Sequence, residues 1–252
     1  SESVPGLSEM KESISIDGPA IATIANDDPL FRSFTLLLAE PLEKRKVYTL
    51  TAGRVVTDFA GNGMITGDFR FGIPEAARTG DVLFNELMFN PWPDEPDFIE
   101  FYNCSGKIIN TCDLFLFSVR DETADTSSVV PVSPENHCLL PRYNIVITSS
   151  KSILEARFFS SVPGNITEVS TLPSMPDTGG HLVLVNRSLE KIDEVYYDEE
   201  MHFPLLGGFE GITLEKVRPC GISTDRSQWH SASETSGWGT PGAPNSIIAE
   251  DT

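Results

Sequence analysis

The apolar residues of this chain come in short continuous or alternating runs punctuated by Gly, Pro, Asn and Asp. That pattern excludes most folds at once. Strand-length runs between turn residues mark an all-β sandwich or barrel, because a helix needs apolar positions spaced three and four apart over a longer stretch. Phe34 to Ala39 and Leu114 to Val119 are among the longest apolar runs, and both are strand-sized. In Val47 to Thr51 the period-2 alternation puts Tyr48 and Leu50 on one face and Val47, Thr49 and Thr51 on the other, as in a half-buried antiparallel strand. No run approaches the 18 residues of a membrane-spanning helix, so no membrane insertion by this chain is expected. At 40% hydrophobic and 22% charged, the composition is that of a globular chain.

A length of 252 residues accommodates two domains, each with its own core. In the first part, strands are expected at Ser13 to Asp17, Ala20 to Ala25, Ser33 to Leu38, Lys46 to Thr51 and Asp68 to Gly72. Asn26 to Pro29 and Asp58 to Gly63 are expected as turns, since Asn, Asp and Gly tolerate positive φ. The pattern stops across Ile73 to Gly80, where Pro and Gly bracket a polar stretch, giving domains 1–77 and 78–248. The second run of strands is expected at Val82 to Met88, Asp97 to Asn103, Asp113 to Val119, Tyr143 to Thr148, Leu154 to Phe159, His181 to Asn186, Ile192 to Tyr197 and Ile212 to Val217. The tail from Ser231 through Asn245 is too rich in Gly, Ser and Pro for regular structure and is expected to wrap the surface.

The net charge of −19 is uneven: residues 1–78 hold 8 basic and 11 acidic residues, the remainder 10 and 26. A surface of that sign repels phosphate backbones and anionic headgroups, so no nucleic acid partner is expected. The four cysteines, Cys104, Cys112, Cys138 and Cys220, form no zinc-like pattern. Cys104 and Cys112 flank a short hairpin that could join them in an oxidising compartment, and free thiols are the competing reading. Four cysteines allow three full pairings, and spacing does not choose among them.

Two stretches resemble known families. Pro41 to Leu50, followed by Val56-Thr57-Asp58-Phe59-Ala60-Gly61-Asn62, resembles the closing half of bacterial Ig-like domains, which implies a first domain lacking its N-terminal strands and hence an internal slice of a longer protein. Further on come Leu83 to Pro91, Asp97 to Asn103, Leu214 to Val217 leading into Trp229 to Ala232, and Gly239-Thr240-Pro241-Gly242-Ala243-Pro244-Asn245-Ser246. In that order they resemble the lamin tail domain, an Ig-type β-sandwich, in its bacterial form. The long polar segment from Arg120 to His137 departs from that pattern. Together the resemblances imply two Ig-like β-sandwich domains in series in a secreted or cell-surface bacterial protein. The lamin tail would be presented to an envelope protein or glycan, or would serve as an accessory module of a secreted hydrolase or nuclease whose catalytic domain lies elsewhere.

Chemistry-bearing motifs are sparse. There is no Gly-x-Ser-x-Gly elbow, no phosphate-binding glycine loop and no His-Glu-x-x-His, and the four histidines are far apart in sequence, so no catalytic residues are expected. Asp94, Glu95 and Asp97 share a Pro-punctuated loop between two strands bearing Glu86 and Glu100. Loops with several carboxylates can give calcium its six to eight oxygens, which makes these five a candidate calcium set. The competing reading has Glu86 and Glu100 in local hydrogen bonds and the loop solvated. Asp193, Glu194, Asp198, Glu199 and Glu200 read as a solvated acidic hairpin. Trp92, Trp229 and Trp238 fall in expected loops, where exposed rings can meet a sugar face or a partner pocket; Trp229 closing the sandwich end is the packing alternative. Asn103, Asn165 and Asn186 match the glycosylation acceptor pattern by coincidence in a bacterial protein. A monomer is expected.

Overall fold

The computed structural model describes residues 11, 13–26, 33–53, 67–120, 125–126, 129–159 and 161–248. The chain is all-β in class and divides into two compact units, Ser1–Pro74 and Glu75–Thr252. The division falls just ahead of the boundary read from sequence. Its cause is local: the Glu75 amide donates to the Ile108 carbonyl at 2.8 Å, and Ala77 is buried in the second core.

In the first unit, β1 (Ile14–Ile16), β4 (Tyr48–Ala52) and β5 (Gly67–Phe71) form one antiparallel sheet, and β2 (Ile21–Ala25) pairs with β3 (Thr35–Leu38). All five expected strands are present. Tyr48 is fully buried, its ring 6.0 Å from that of Phe71 and its hydroxyl accepting from the Glu43 amide at 2.9 Å. The second Ig-like motif, Val56 to Asn62, lies outside the described residues, as do Asp27 to Pro29 and Asp58 to Gly63 of the two expected turns.

The second unit is a two-layer sandwich. One sheet has six strands in the order β14 (Ile166–Glu168), β13 (Asn144–Thr148), β7 (Phe98–Asn103), β6 (Val82–Met88), β17 (Leu214–Lys216) and β18 (Trp229–Ser231); only the β13–β14 pair is parallel. The other has β10 (Asp125–Thr126), β9 (Leu114–Arg120), β15 (Gly179–Asn186) and β16 (Lys191–Asp198), with β11 (Val130–Pro131) also on β9, and β8 (Ile109–Asn110) pairs with β12 (Cys138–Leu139) in a separate antiparallel ribbon. Inward side chains of both sheets, such as Phe84, Ile99 and Phe101 against Leu116, Leu182 and Val195, make one core. Phe84 and Phe101 rings lie 5.0 Å apart within it.

One expected strand is a helix. Lys151–Arg157, α1, occupies the segment read as a strand at Leu154 to Phe159. Leu154 and Phe158 are four apart and both pack on Met88, Phe98, Val146 and Ile166, the spacing of a helical face. Lys151 and Glu155 add an i,i+4 ion pair at 3.7 Å. A run this short satisfies either period, and the apolar patch beneath it decides.

The cysteines also differ from the hairpin expectation. Cys104 pairs with Cys220, Cα atoms 5.6 Å apart and 116 residues distant in sequence, while Cys112 and Cys138 are free. Cys112 lies inside a 3-10 turn capped by Asn110, whose Oδ1 accepts from the Cys112 amide at 3.3 Å, and its Sγ is 3.1 Å from Asn136 Oδ1.

Candidate functional site

Glu86 and Glu100 owe their position to a β-bulge. The pairing of β6 with β7 slips between Phe84 and Glu86, so Asn85 and Glu86 both face away from the core that Phe84 and Leu87 enter. Across the ladder Glu86 lies opposite Glu100, and on its other side opposite Glu215 of β17. Three glutamates on adjacent strands thus share one outer face, and none is exposed to solvent.

Their cover is the chain's own tail. Glu86 Oε1 accepts from the Thr213 hydroxyl at 2.7 Å and the Thr240 amide at 2.8 Å. Glu100 accepts from Asn85 Nδ2 at 2.5 Å and the Gly242 amide at 2.6 Å. Glu215 accepts from the Thr240 hydroxyl at 2.7 Å and from the amide and hydroxyl of Ser246 at 2.7 and 2.8 Å. Asn245 Nδ2 closes the strap on the carbonyls of Asn85 and Lys216 at 3.1 and 2.9 Å. Gly242 is required here: its φ is +80°, and an added Cβ would stand 3.0 Å from the Val162 carbonyl.

Burial, then the charges of Glu215 and Glu100, pushes the Glu86 carboxyl well above the ordinary range. Burial pushes Glu100 up to about 8, against the pull of its Asn85 and Gly242 hydrogen bonds, and burial raises Glu215 as well. These groups hold protons more firmly than free glutamates, in a setting sealed from any reactant.

The five candidate calcium residues are split three ways. Glu86 and Glu100 lie under the strap. Asp94 is an exposed turn residue with φ +69°, and Glu95 pairs with Arg157 at 3.3 Å. Asp97 accepts at its carbonyl from the Thr148 hydroxyl at 2.9 Å, while burial, and next the charge of Asp177, raises its carboxyl to about 7. Among the described residues no group of three or more His, Cys, Asp or Glu side chains is placed to hold a metal ion.

The tryptophans also part company. Trp229 is buried, its Nε1 donating to the Ser223 carbonyl at 2.8 Å, as in the packing alternative. Trp238 is half-buried at φ +69°, and its carbonyl accepts from the Thr213 amide at 3.0 Å. Trp92 alone of the three is largely exposed, at 46%, lying against the backbone of Gly211.

The acidic hairpin is only partly solvated. Asp193 turns inward and accepts from the Phe84 amide at 2.9 Å and the Ser223 hydroxyl at 2.5 Å. Ser223 in turn accepts from the buried Lys216 Nζ at 3.1 Å, and burial lowers that ammonium to about 8. Glu194 accepts from Lys191 at 2.5 Å, and Asp198 takes both prongs of Arg226. His202 stacks on Phe209, ring centroids 5.0 Å apart, with its Nδ1 3.0 Å from the Ser231 hydroxyl. His181 sits elsewhere, against Glu194 at 3.2 Å. Asn103 is fully buried, its Nδ2 donating to the Lys107 and Leu139 carbonyls, so its acceptor pattern is enclosed in the fold.

Sequence reasoning missed Glu215, Asn85 and the Lys216–Ser223–Asp193 chain. Glu215 had a usable signal: directly after core-facing Leu214, it must point to the opposite face. No family model matches this sequence, and neither a curated protein nor a solved structure does.

Proposed function

We propose that this chain is a non-catalytic binding and spacer module of a secreted or cell-surface protein. In this reading the second unit is a lamin-tail-like Ig-type sandwich presenting its loops and grooves to a protein or glycan. The first unit carries the later strands of an Ig-like domain and acts as a spacer.

The observation that carries the reading is the strap over Glu86, Glu100 and Glu215. The residues with most chemistry in them are consumed in holding the tail to the sheet, and what reaches solvent is loop and groove surface. The Cys104–Cys220 bridge supports an oxidising compartment. The test is the purified chain on an array of defined glycans and purified envelope proteins, run beside a panel of ester, glycoside and phosphodiester substrates. Specific binding without turnover is expected. A blank array, or turnover that survives repurification, overturns the reading.

A further inference from the structure

An open groove on the second unit is lined by two arginines that have no carboxylate ion-pair partner among the described residues. It has two lobes, of about 540 and 210 Å³, which share Tyr102, Arg142, Pro219 and Ile248. The larger lobe adds Arg218 and Ile222, the latter 70% exposed. Its frame is fixed: the Cys104–Cys220 bridge ties the Pro219 loop to the end of β7, and the Arg142 amide donates to the Asn103 carbonyl at 2.9 Å.

Acidic residues outnumber basic ones by more than two to one after residue 78. Six lysines and arginines of this unit accordingly pair with carboxylates. Among the described residues Arg142 and Arg218 do not, although both line the same groove; Arg142 Nη1 meets only the Cys220 sulfur, at 3.2 Å. Arg78 and the buried Lys216, also without a carboxylate ion pair, do not line it. Two guanidiniums without a carboxylate partner, lining one concavity of an acidic unit, suit a carboxylate ligand, since the planar fork matches that group and gains little from neutral partners.

We propose that this groove binds a carboxylate-bearing sugar, of the uronic or sialic acid class, within a glycan. The rest of the lining selects among anions. Asp225 lies in the same lobe, accepts from the Ser227 amide and hydroxyl at 3.0 and 2.8 Å, and has lone pairs left for sugar hydroxyls. Its charge and that of the whole unit disfavour the doubly charged phosphate ion and long polyanions such as nucleic acid. Tyr102 and Ile222 offer the apolar surface that a sugar ring's C–H face covers. This inference rests on the binding-module reading and names the ligand class within it.

The test titrates the full chain with trigalacturonate, and in parallel with maltotriose, triglutamate and inorganic phosphate. Trigalacturonate should bind at least tenfold more tightly than the other three and lose affinity as salt rises. Arg142→Asn, a residue type that tolerates the φ of +64° at this position, and Arg218→Gln should each weaken it about tenfold with the melting temperature unchanged. Absent binding at millimolar trigalacturonate, unaltered affinity in both variants, or equal or tighter binding of triglutamate, maltotriose or phosphate overturns the proposal. Array binding that survives both substitutions would sink this site while leaving the module reading intact; a blank array would remove both.

Discussion

The outer face of the six-stranded sheet has two halves built on the same strands and covered in opposite ways. β6 carries Glu86 and Met88, and β7 carries Glu100 and Phe98. The apolar half lies beneath α1 and its C-cap, where Leu154 and Phe158 supply non-directional contact. The polar half lies beneath the strap, whose amides and hydroxyls must each reach a particular carboxyl oxygen. Apolar cover tolerates small shifts, because its energy follows the area removed from water. Polar cover does not: a missing partner leaves its mate buried and unsatisfied at roughly 1–3 kcal/mol. The same face thus holds one cover by shape and the other by address.

The largest effect expected is on the apolar side. Phe158→Ala empties a site where the ring meets Phe98 edge-on at 5.7 Å and Arg157 at 4.8 Å. It should cost about 3–5 kcal/mol in a denaturant titration. A loss below about 1 kcal/mol would mean that α1 is a loose cover and the contrast is misplaced. On the polar side, Glu86→Ala strands the Thr213 hydroxyl and the Thr240 amide and should cost about 2–4 kcal/mol. Glu86→Gln keeps an accepting oxygen and the shape of the protonated acid, so it should cost no more than about 1 kcal/mol. Equal losses for Ala and Gln would show that packing, rather than hydrogen-bond address, holds the strap.

The pH response sharpens the contrast further, because only the polar half titrates. Glu100 has its folded value raised to about 8 from 4.5, so the folded chain binds the extra proton between those limits. Its contribution is full below about 4.5 and is lost as pH rises through about 8. Between pH 7 and 8, His202, lowered to about 4 by burial and then His230, is neutral when folded and mostly neutral when unfolded. Lys216, lowered to about 8, is mostly charged over the first half of that window and half-charged at its end. The melting temperature should therefore fall by a few degrees across this window, one group contributing at most about 1.4 kcal/mol per pH unit. Glu100→Gln should flatten that slope. An unchanged slope in the variant would place the titration elsewhere, with Asp97 the next group to replace.

How far these covers were legible in the sequence follows from the range of the forces involved. Strand positions come from alternation within a few residues, so Val82–Met88 was found at its observed limits and the five strands of the first unit were close. The bulge at Asn85 and Glu86 was not legible, since a one-residue slip depends on the partner strand. For the same reason two carboxylates read as metal ligands, Glu86 and Glu100, face a strap whose contacts to them lie 154 and 142 residues later. The apolar patch that turned Leu154 and Phe158 into a helical face is assembled from Met88, Phe98 and Val146, again at long range. The pairing of Cys104 with Cys220 escaped alongside them, as its 116-residue separation is fixed by the sheet order and by no local spacing. Thr240 to Asn245 was noticed as a closing pattern, yet its purpose needed Glu215, which alternation after Leu214 would have exposed.

The smallest expected effect concerns calcium, and it tests whether the polar cover is shut. A calcium ion needs six to eight oxygens, while the Glu86 and Glu100 carboxyl oxygens already accept from Thr213, Thr240, Asn85 and Gly242. Calcium could gather them only by lifting the strap, losing several buried hydrogen bonds to free a set that Glu95 and Asp97 do not complete. The melting temperature in millimolar calcium should therefore match that in excess chelator to within about 1 °C. Ligand at a hundredfold its dissociation constant stabilises by about 2.7 kcal/mol, which would move a domain of this size by roughly 5–10 °C. A rise of that order, abolished by Glu86→Gln, would mean that the strap opens in solution and that address, here, yields to charge.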